Sequence, residues 1–347
     1  MAHAMTNPTK VKKPPTMRDV AKLAGVSQPT VSRVLNEKDT TISISPETRK
    51  KVMDAVEKLG YRPNMHARSL RTQETKLIAV LIADITNSFY PHIARSIQSV
   101  AREEGFDVMI FNSDHVYDNE KLFCESVARR AVDGIIMVPI HLTEQDMREL
   151  YKQTGSPIAV LGQHINHPQI DVVYADDETA IYNATCWLIN ELGHHQLGFI
   201  GVPDILPPGP RRRRGFMKAV EKANLEIHPD HLIEGDFTLE GGREVGKQLA
   251  KLDCLPTALV VSNDAMALGI ILELQEAGIR VPEDIAIVGY DNIPEATIIR
   301  PSLTTIEQNS SLIGHELSRL LFERISDSSL PARRVELPND LIIRNST

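Results

Sequence analysis

The chain has 347 residues, 42% of them hydrophobic and 24% charged, a balance that fits a folded globular protein of two or three domains and not a disordered or fibrous one. No apolar run approaches the ~20 residues that cross a bilayer, and the opening "MAHAMTNPTKVKKPP" lacks a signal-peptide core, so neither membrane insertion nor export is expected. The net charge of −8 is uneven: residues 1–75 carry 14 Lys and Arg against 7 Asp and Glu, a net of +7 that leaves −15 on the other 272 residues, so only the basic head is suited to a polyanion.

Residues 1–15 are expected to be a disordered arm or a cloning remnant. The stretch "TMRDVAKLAGVSQPTVSRVLN" (16–36) then predicts two short helices around a tight turn. Thr16 is placed to cap the first, with Asp19 three residues on, and Val20, Leu23 and Ala24 follow at helical spacing. Gly25 stops that helix. Ser27 caps the second, Pro29 sits in its first turn where a missing N–H costs nothing, and Val31, Val34 and Leu35 form its apolar face. Gln28, Thr30, Ser32, Arg33 and Asn36 are left pointing outward, able to donate or accept at base edges and phosphates. After a polar loop, Ser45 and Pro46 open a third helix with Val52, Met53, Val56 and Leu59 inward and Gly60 at its end. "YRPNMHARSLRTQETK" (61–76) breaks that helix at Pro63, and its next two turns are too short to be stable alone.

From Lys76 the texture changes. "KLIAVLIADI", "FDVMIFNSD", "GIIMVPI" and "PIAVLGQ" alternate with amphipathic stretches, one of them from about Tyr90 to Glu104. The rhythm restarts with a helix near Ala180–Leu192, then "LGFIG", a helix from Arg213, "HLIEGDF", a helix, "ALVVSND", a helix and "DIAIVGYD". Buried strands alternating with helices predict parallel sheets covered on both faces, and the strands are too many for one sheet. Two doubly wound lobes with a ligand cleft at the strands' carboxyl ends are expected.

Catalytic motifs are missing. No strand leads into GxGxxG, and there is no GxxxxGK[ST]. "EGGREVG" (240–246) reads as a loop and helix start. His194-His195 follow the Gly193 stop as solvated cations at a helix end, and Asp176-Asp177-Glu178 read as cap and dipole partners. Arg211–Arg214 at a helix start is electrostatically poor; an anion or carboxylate partner would explain it, the alternative being a solvated face with one working arginine. Cys124, Cys186 and Cys254 are odd in number and far apart, which fits a reducing cytoplasm and argues against a disulfide framework. No metal site, cofactor or enzyme activity is expected.

These segments resemble the lactose-repressor (LacI/GalR) family of bacterial transcription regulators. Residues 16–36 resemble its helix-turn-helix and "SPETRKKVMDAVEKLGYRPNMHARSL" its third helix and hinge. "DITNSFYPHIARSI", "VDGIIMVP", "LGFIG", "RRRRGFMKAV", "SNDAMALG", "RVPEDIAIVGYDN" and "PSLTTIEQ" resemble successive landmarks of its effector domain. The resemblance covers about residues 16–345. It implies a multi-domain architecture: an all-α helix-turn-helix headpiece (16–62), a hinge (63–75), and an α/β two-lobed periplasmic-binding-protein-like effector domain with doubly wound parallel sheets (76–347). It implies a cytoplasmic homodimer on near-palindromic double-stranded operator DNA, a repressor whose affinity a small sugar-like effector controls. Gln28, Pro29 and Arg33 fall where the family reads bases. Thr16, Ser27 and Tyr61 become candidates for phosphate. Arg68 and Leu70 belong to the hinge, whose leucine wedges a base step in the minor groove. Arg212 takes the ligand-binding arginine position, with Asp291, Asn263, Phe89, Tyr90 and Gln163 at cleft positions. Two departures stand out. The loop "NEKDTTISISPET" is about three residues longer than is usual in the family, and "PDILPPGPRRRRGF" is proline-rich. The chain lacks a heptad tail after "LIIRNST", which favours a dimer over a tetramer. A nucleobase or a partner protein as effector, or a solute-binding protein, are the alternatives.

Overall fold

A computed structural model describes residues 15–35, 44–62 and 74–347, which form two compact units divided between Thr75 and Lys76. In the first unit, α1 (Met17–Ala24) and α2 (Gln28–Leu35) are joined by a turn at Gly25, whose φ of 69° and ψ of 31° are the left-handed values that favour glycine. α3 (Pro46–Leu59) packs on both, starting from the Ser45 cap that accepts from the Thr48 N–H. The small core is Val20, Ala21, Val31, Val34, Val52, Ala55 and the ring of Tyr61. Two expected inward residues are out: Leu23 is 45% and Met53 48% exposed. Ala21 and Ala55 take the inner places, because helices this short meet at close range and only small side chains fit the contact.

The second unit holds two parallel sheets. The first lobe orders its strands β2 (Asp107–Asn112), β1 (Leu77–Ile82), β3 (Gly134–Met137), β4 (Ile158–Leu161), β5 (Ile170–Ala175) and β11 (Arg334–Leu337). The second orders β7 (Leu232–Glu234), β6 (Leu197–Gly201), β8 (Ala258–Val261), β9 (Ala286–Asp291), β10 (Thr304–Gln308) and β12 (Asn339–Ile342), the last antiparallel to β10. Period-two burial explains the layers. In β1, Ile78, Val80 and Ile82 face α4 (Phe89–Glu103) and α12 (Ser310–Ser326). Ala79 and Leu81 face α5 (Tyr117–Arg130) and α6 (Glu144–Thr154). In the second lobe, Phe199, Val260, Val288 and Tyr290 pack under α7 (Asp177–Asn190) and α8 (Pro208–Lys222), while Leu259, Val261 and Ile287 meet α9 (Leu239–Leu249) and α10 (Asp264–Glu276).

The chain passes between the lobes three times: after β5, between β10 and α12, and between β11 and β12. The second and third passages were not expected from sequence. Two local readings also change. "EGGREVG" lies inside α9, where Gly242 and Gly269 let α9 and α10 touch through their backbones: a Cβ on Gly242 would collide with the Met266 carbonyl. α8 begins at Pro208, five residues before the expected Arg213, because prolines are tolerated in a first turn where N–H groups have no intrahelical partner. A short α11 (Glu295–Ile298) precedes β10.

Candidate DNA-binding face and interlobe cleft

The polar face of α2 is presented as the sequence implied. Gln28, Pro29 and Arg33 are exposed, and Thr30 and Ser32 half-buried. Ser27 caps α2: its Oγ accepts from the Thr30 N–H at 3.3 Å and meets the Thr30 hydroxyl at 2.8 Å. Thr16 closes a reciprocal capping box with Asp19, whose carboxylate accepts from the Thr16 N–H at 2.8 Å and hydroxyl at 2.7 Å. Those hydrogen bonds hold the Asp19 carboxyl below its ordinary pKa. The caps fix the N-termini of both helices, which carry partial positive charge. Tyr61 packs its ring into the headpiece core. Asn36, Arg68 and Leu70 lie outside the described residues.

The cleft opens where the carboxyl ends of both sheets meet. It is a recess of about 570 Å³, counting solvent at its mouth. Phe89 and Tyr90, after β1, and Gln163 and His164, after β4, line it from the first lobe. Asp177, Arg211 and Arg212 line it from the second, with Gln308 at the β10–α12 passage. The aromatic wall is an edge-on pair, Phe89 and Tyr90, with centroids 5.2 Å apart. Burial, and Asp291 nearby, push the Tyr90 phenol up, so it stays a neutral donor or acceptor. The floor loop after β3 is held from behind by the buried Glu120 carboxylate. It accepts from the backbone N–H groups of Ile140 at 2.9 Å, His141 at 3.0 Å and Leu142 at 2.9 Å. Desolvation nevertheless pushes the Glu120 carboxyl up.

The arginine run finds its partners in the acidic triplet. α7 and α8 start side by side, and Arg211 forks onto Asp177, Nε to Oδ1 at 2.8 Å and Nη2 to Oδ2 at 3.1 Å. Arg212 Nε lies 3.5 Å from the same carboxylate, and its Nη1 donates to the Ser262 carbonyl. The Arg212 guanidinium stacks 3.8 Å from the Tyr290 ring centroid, a cation–π contact of about 2 kcal/mol when desolvated. Arg214 and Lys218 pair with Glu178, and Asp176 caps α7 on the Thr179 N–H. Asp177 and Glu178 are therefore counter-ions of α8 as well as dipole partners of α7.

Two expected lining residues stand behind the wall. Asn263 is 1% exposed and caps α10: its Oδ1 accepts from the Met266 N–H at 3.1 Å and its amide donates to the Phe237 carbonyl at 2.9 Å. Asp291 is 7% exposed and accepts from the Gln308 amide at 2.9 Å, so Gln308 is the residue that reaches the cavity. Asp291 sits at φ 117°, a conformation costly for a non-glycine residue. Burial pushes its carboxyl up to about 6 despite Arg212 and Gln308. Asp264, sealed between the Thr305 hydroxyl at 2.6 Å and the Ile293 N–H at 2.9 Å, is also pushed up, by burial and by Asp291.

The lobes also touch beyond the cavity. Ser88 donates to Glu295 at 2.6 Å, and His115 stacks on Phe237 at 6.1 Å, edge-on to Tyr90 at 6.4 Å. His194, expected as a solvated cation, meets the Thr257 hydroxyl at 3.1 Å, and burial lowers its pKa. Sequence reasoning did not assign His164, Gln308, His115 or Phe237 to the site. The motif "PSLTTIEQ" carried the signal for Gln308. No group of His, Cys, Asp and Glu among the described residues is arranged to hold a metal, and no described helix is long and apolar enough to cross a membrane.

A capped helix-turn-helix followed by two doubly wound lobes around a cleft defines a DNA-binding transcription regulator of the bacterial type. The match to known proteins agrees in both parts. Residues 16–64 fit the model of bacterial regulatory proteins of the lacI family, and residues 189–347 that of the periplasmic binding protein-like domain. The chain is 35% identical over 333 residues to catabolite control protein A of Priestia megaterium, covering 96% of this chain and 99% of that one. It is also 35% identical over 331 residues to the HTH-type transcriptional repressor PurR of Pasteurella multocida, covering 95% and 98%. A crystal structure of the lac repressor dimer bound to operator and the anti-inducer ONPF superposes with a TM-score of 0.83 at 28% identity, over 96% of this chain and 99% of that one. The chain belongs to the LacI family, whose members are regulators and not enzymes.

Proposed function

We propose that this chain represses transcription as a homodimer on near-palindromic operator DNA, and that a small sugar-like molecule bound between the lobes sets its operator affinity. In this reading α2 enters the major groove, Gln28, Pro29 and Arg33 read base edges, and Thr16 and Ser27 position the helix ends on phosphates. The hydroxyl of Tyr61 reaches the backbone while its ring anchors the head. Leu70 and Arg68 act in the hinge on the minor groove. The observation that carries the effector reading is the cleft itself: an aromatic wall from one lobe facing guanidinium and amide donors from both, the combination that grips a polar ring by face and edge. A ligand touching both lobes favours one closure, and the coupling to DNA is reciprocal.

A thermal-shift screen of sugars, sugar acids and nucleobases identifies the ligand, which at a hundredfold excess over Kd stabilises by ~2.7 kcal/mol. Operator titration with and without it then tests the coupling. Arg212→Ala is expected to lose the ligand-induced shift. A full shift in that variant places the effector elsewhere.

A further inference from the structure

The arginine run leaves the cleft with an unusual balance of donors and acceptors. Among the described residues Asp177 is the single carboxylate lining the cavity, and Arg211 bonds to both its oxygens. Two acids outside the lining have partners as well: Glu178 pairs with Arg214 and Lys218, and Asp291, behind the wall, accepts from Gln308 through Oδ1. Two guanidinium groups line the same cavity, and neither is saturated. Arg211 uses Nε and Nη2 on Asp177, and its Nη1 makes no hydrogen bond in the protein. Arg212, 5% exposed, spends Nη1 on the Ser262 carbonyl; its Nη2 makes no hydrogen bond, and its Nε is sealed without one. Both arginines lie in the first turns of α8, which has no acidic residue in its first turn to meet its positive end. Across the cavity stand Gln163 and His164, and burial, followed by the positive charge of Arg211, holds the His164 imidazole down at about 4.

A ligand of hydroxyl groups alone finds no uncommitted carboxylate to accept from it here. An oxyanion finds two guanidinium edges, and charge-assisted bonds of this kind are about twice as strong as neutral ones. We propose that the effector carries a carboxylate on its polar ring, and that Arg211 is the residue that selects the acid over the neutral sugar. This rests on the interlobe cleft being the effector site. The carboxylate docks against Arg211 Nη1 and Arg212 Nη2, with the ring toward Tyr90.

The test is calorimetric titration of the full-length chain with two matched pairs, galacturonate against galactose and glucuronate against glucose. In at least one pair the acid is expected to bind tenfold or more tighter, and Arg211→Gln to remove that advantage, while Arg211→Lys restores part of it. In the parent protein the bound acid is expected to raise the His164 titration midpoint, followed by NMR, and the neutral sugar to leave it in place. That readout holds even if Arg211→Gln fails to fold. The proposal is overturned if the neutral member binds as tightly in both pairs, if no acid binds, if Arg211→Gln keeps the acid's advantage, or if the acid leaves His164 unmoved. Neutral sugars that bind as tightly as their acids in both pairs, and are lost in Arg212→Ala, overturn the acid preference alone. Binding of any of the four that Arg212→Ala does not weaken removes the cleft reading itself.

Discussion

Replacing Asp291 by Asn removes a buried charge while keeping an oxygen for the Gln308 amide. Burial raises the Asp291 carboxyl from 3.8 to about 6. A shift of about 2 units corresponds to ~3 kcal/mol between protonation states. The sign follows from proton binding. Between pH ~4 and ~6 the folded protein holds a proton at Asp291 that the unfolded chain has released, so this group's contribution to stability falls as pH rises through that window and is flat above it. Carboxyls held below their ordinary range, such as Asp171 and Glu178, act in the opposite direction, but they are common to both proteins and cancel in the difference. Burial, and after it the Asp291 charge, raises the Asp264 carboxyl as well. Asp291→Asn is therefore expected to gain ~3 kcal/mol relative to the parent on going from pH 4 to pH 7. Urea melts followed by fluorescence report it, because Trp187, the single tryptophan of the chain, packs on the second-lobe core. A variant-minus-parent difference that stays constant from pH 4 to 7, or that falls, refutes the burial account of Asp291.

Other substitutions test the remaining parts. Arg33→Ala is expected to cost ~1–3 kcal/mol in operator binding and to relax preference at one base pair in a mobility-shift series; a uniform loss across sequences assigns it to phosphate instead. Asp171, fully buried, joins Arg324 and Arg333 of the returning segment at 2.8 and 3.0 Å; Asp171→Ala strands the buried Arg324, while Arg333 keeps Glu323, and should destabilise the first lobe by ~3–5 kcal/mol in urea melts. Gly242→Ala must push α9 from α10 and is expected to lower stability by ~1–3 kcal/mol or more, whereas Gly105→Ala meets no atom within 4 Å and suffers only from its φ of 74°.

What sequence made legible was whatever local chemistry repeats. The capped helices of the head and the first nine apolar strands, β5 excepted, announce themselves because caps, period-two burial and helical periodicity are written in neighbouring residues. β5 was missed because "IDVVYA" places the charged Asp171 in its second position, a residue that only Arg324 and Arg333, more than 150 positions away, make tolerable there. β11 and β12 are four residues each and polar, so nothing in them shows that one joins each lobe. The site divided similarly. Phe89, Tyr90, Gln163 and Arg212 line the cavity as their motifs implied. Asn263 and Asp291 lie one layer back, because residues that end a strand or cap a helix spend their polar atoms on the backbone before a ligand arrives. Arg211 escaped because its role depends on Asp177, 34 positions earlier, standing at the neighbouring helix start.

The triple passage between the lobes has a consequence for synthesis. The first lobe opens at Leu77 yet lacks α12 until Ser326 and β11 until Leu337 have been made, and the second lacks β12 until Ile342. The headpiece needs only residues up to Tyr61 for its core and is free to fold early on the ribosome. Both lobes must wait, half-built and with apolar sheet faces open, until almost the whole chain has been released. A ribosome that stops anywhere between the end of the head and β11 therefore leaves a fragment with a finished head and no finished lobe.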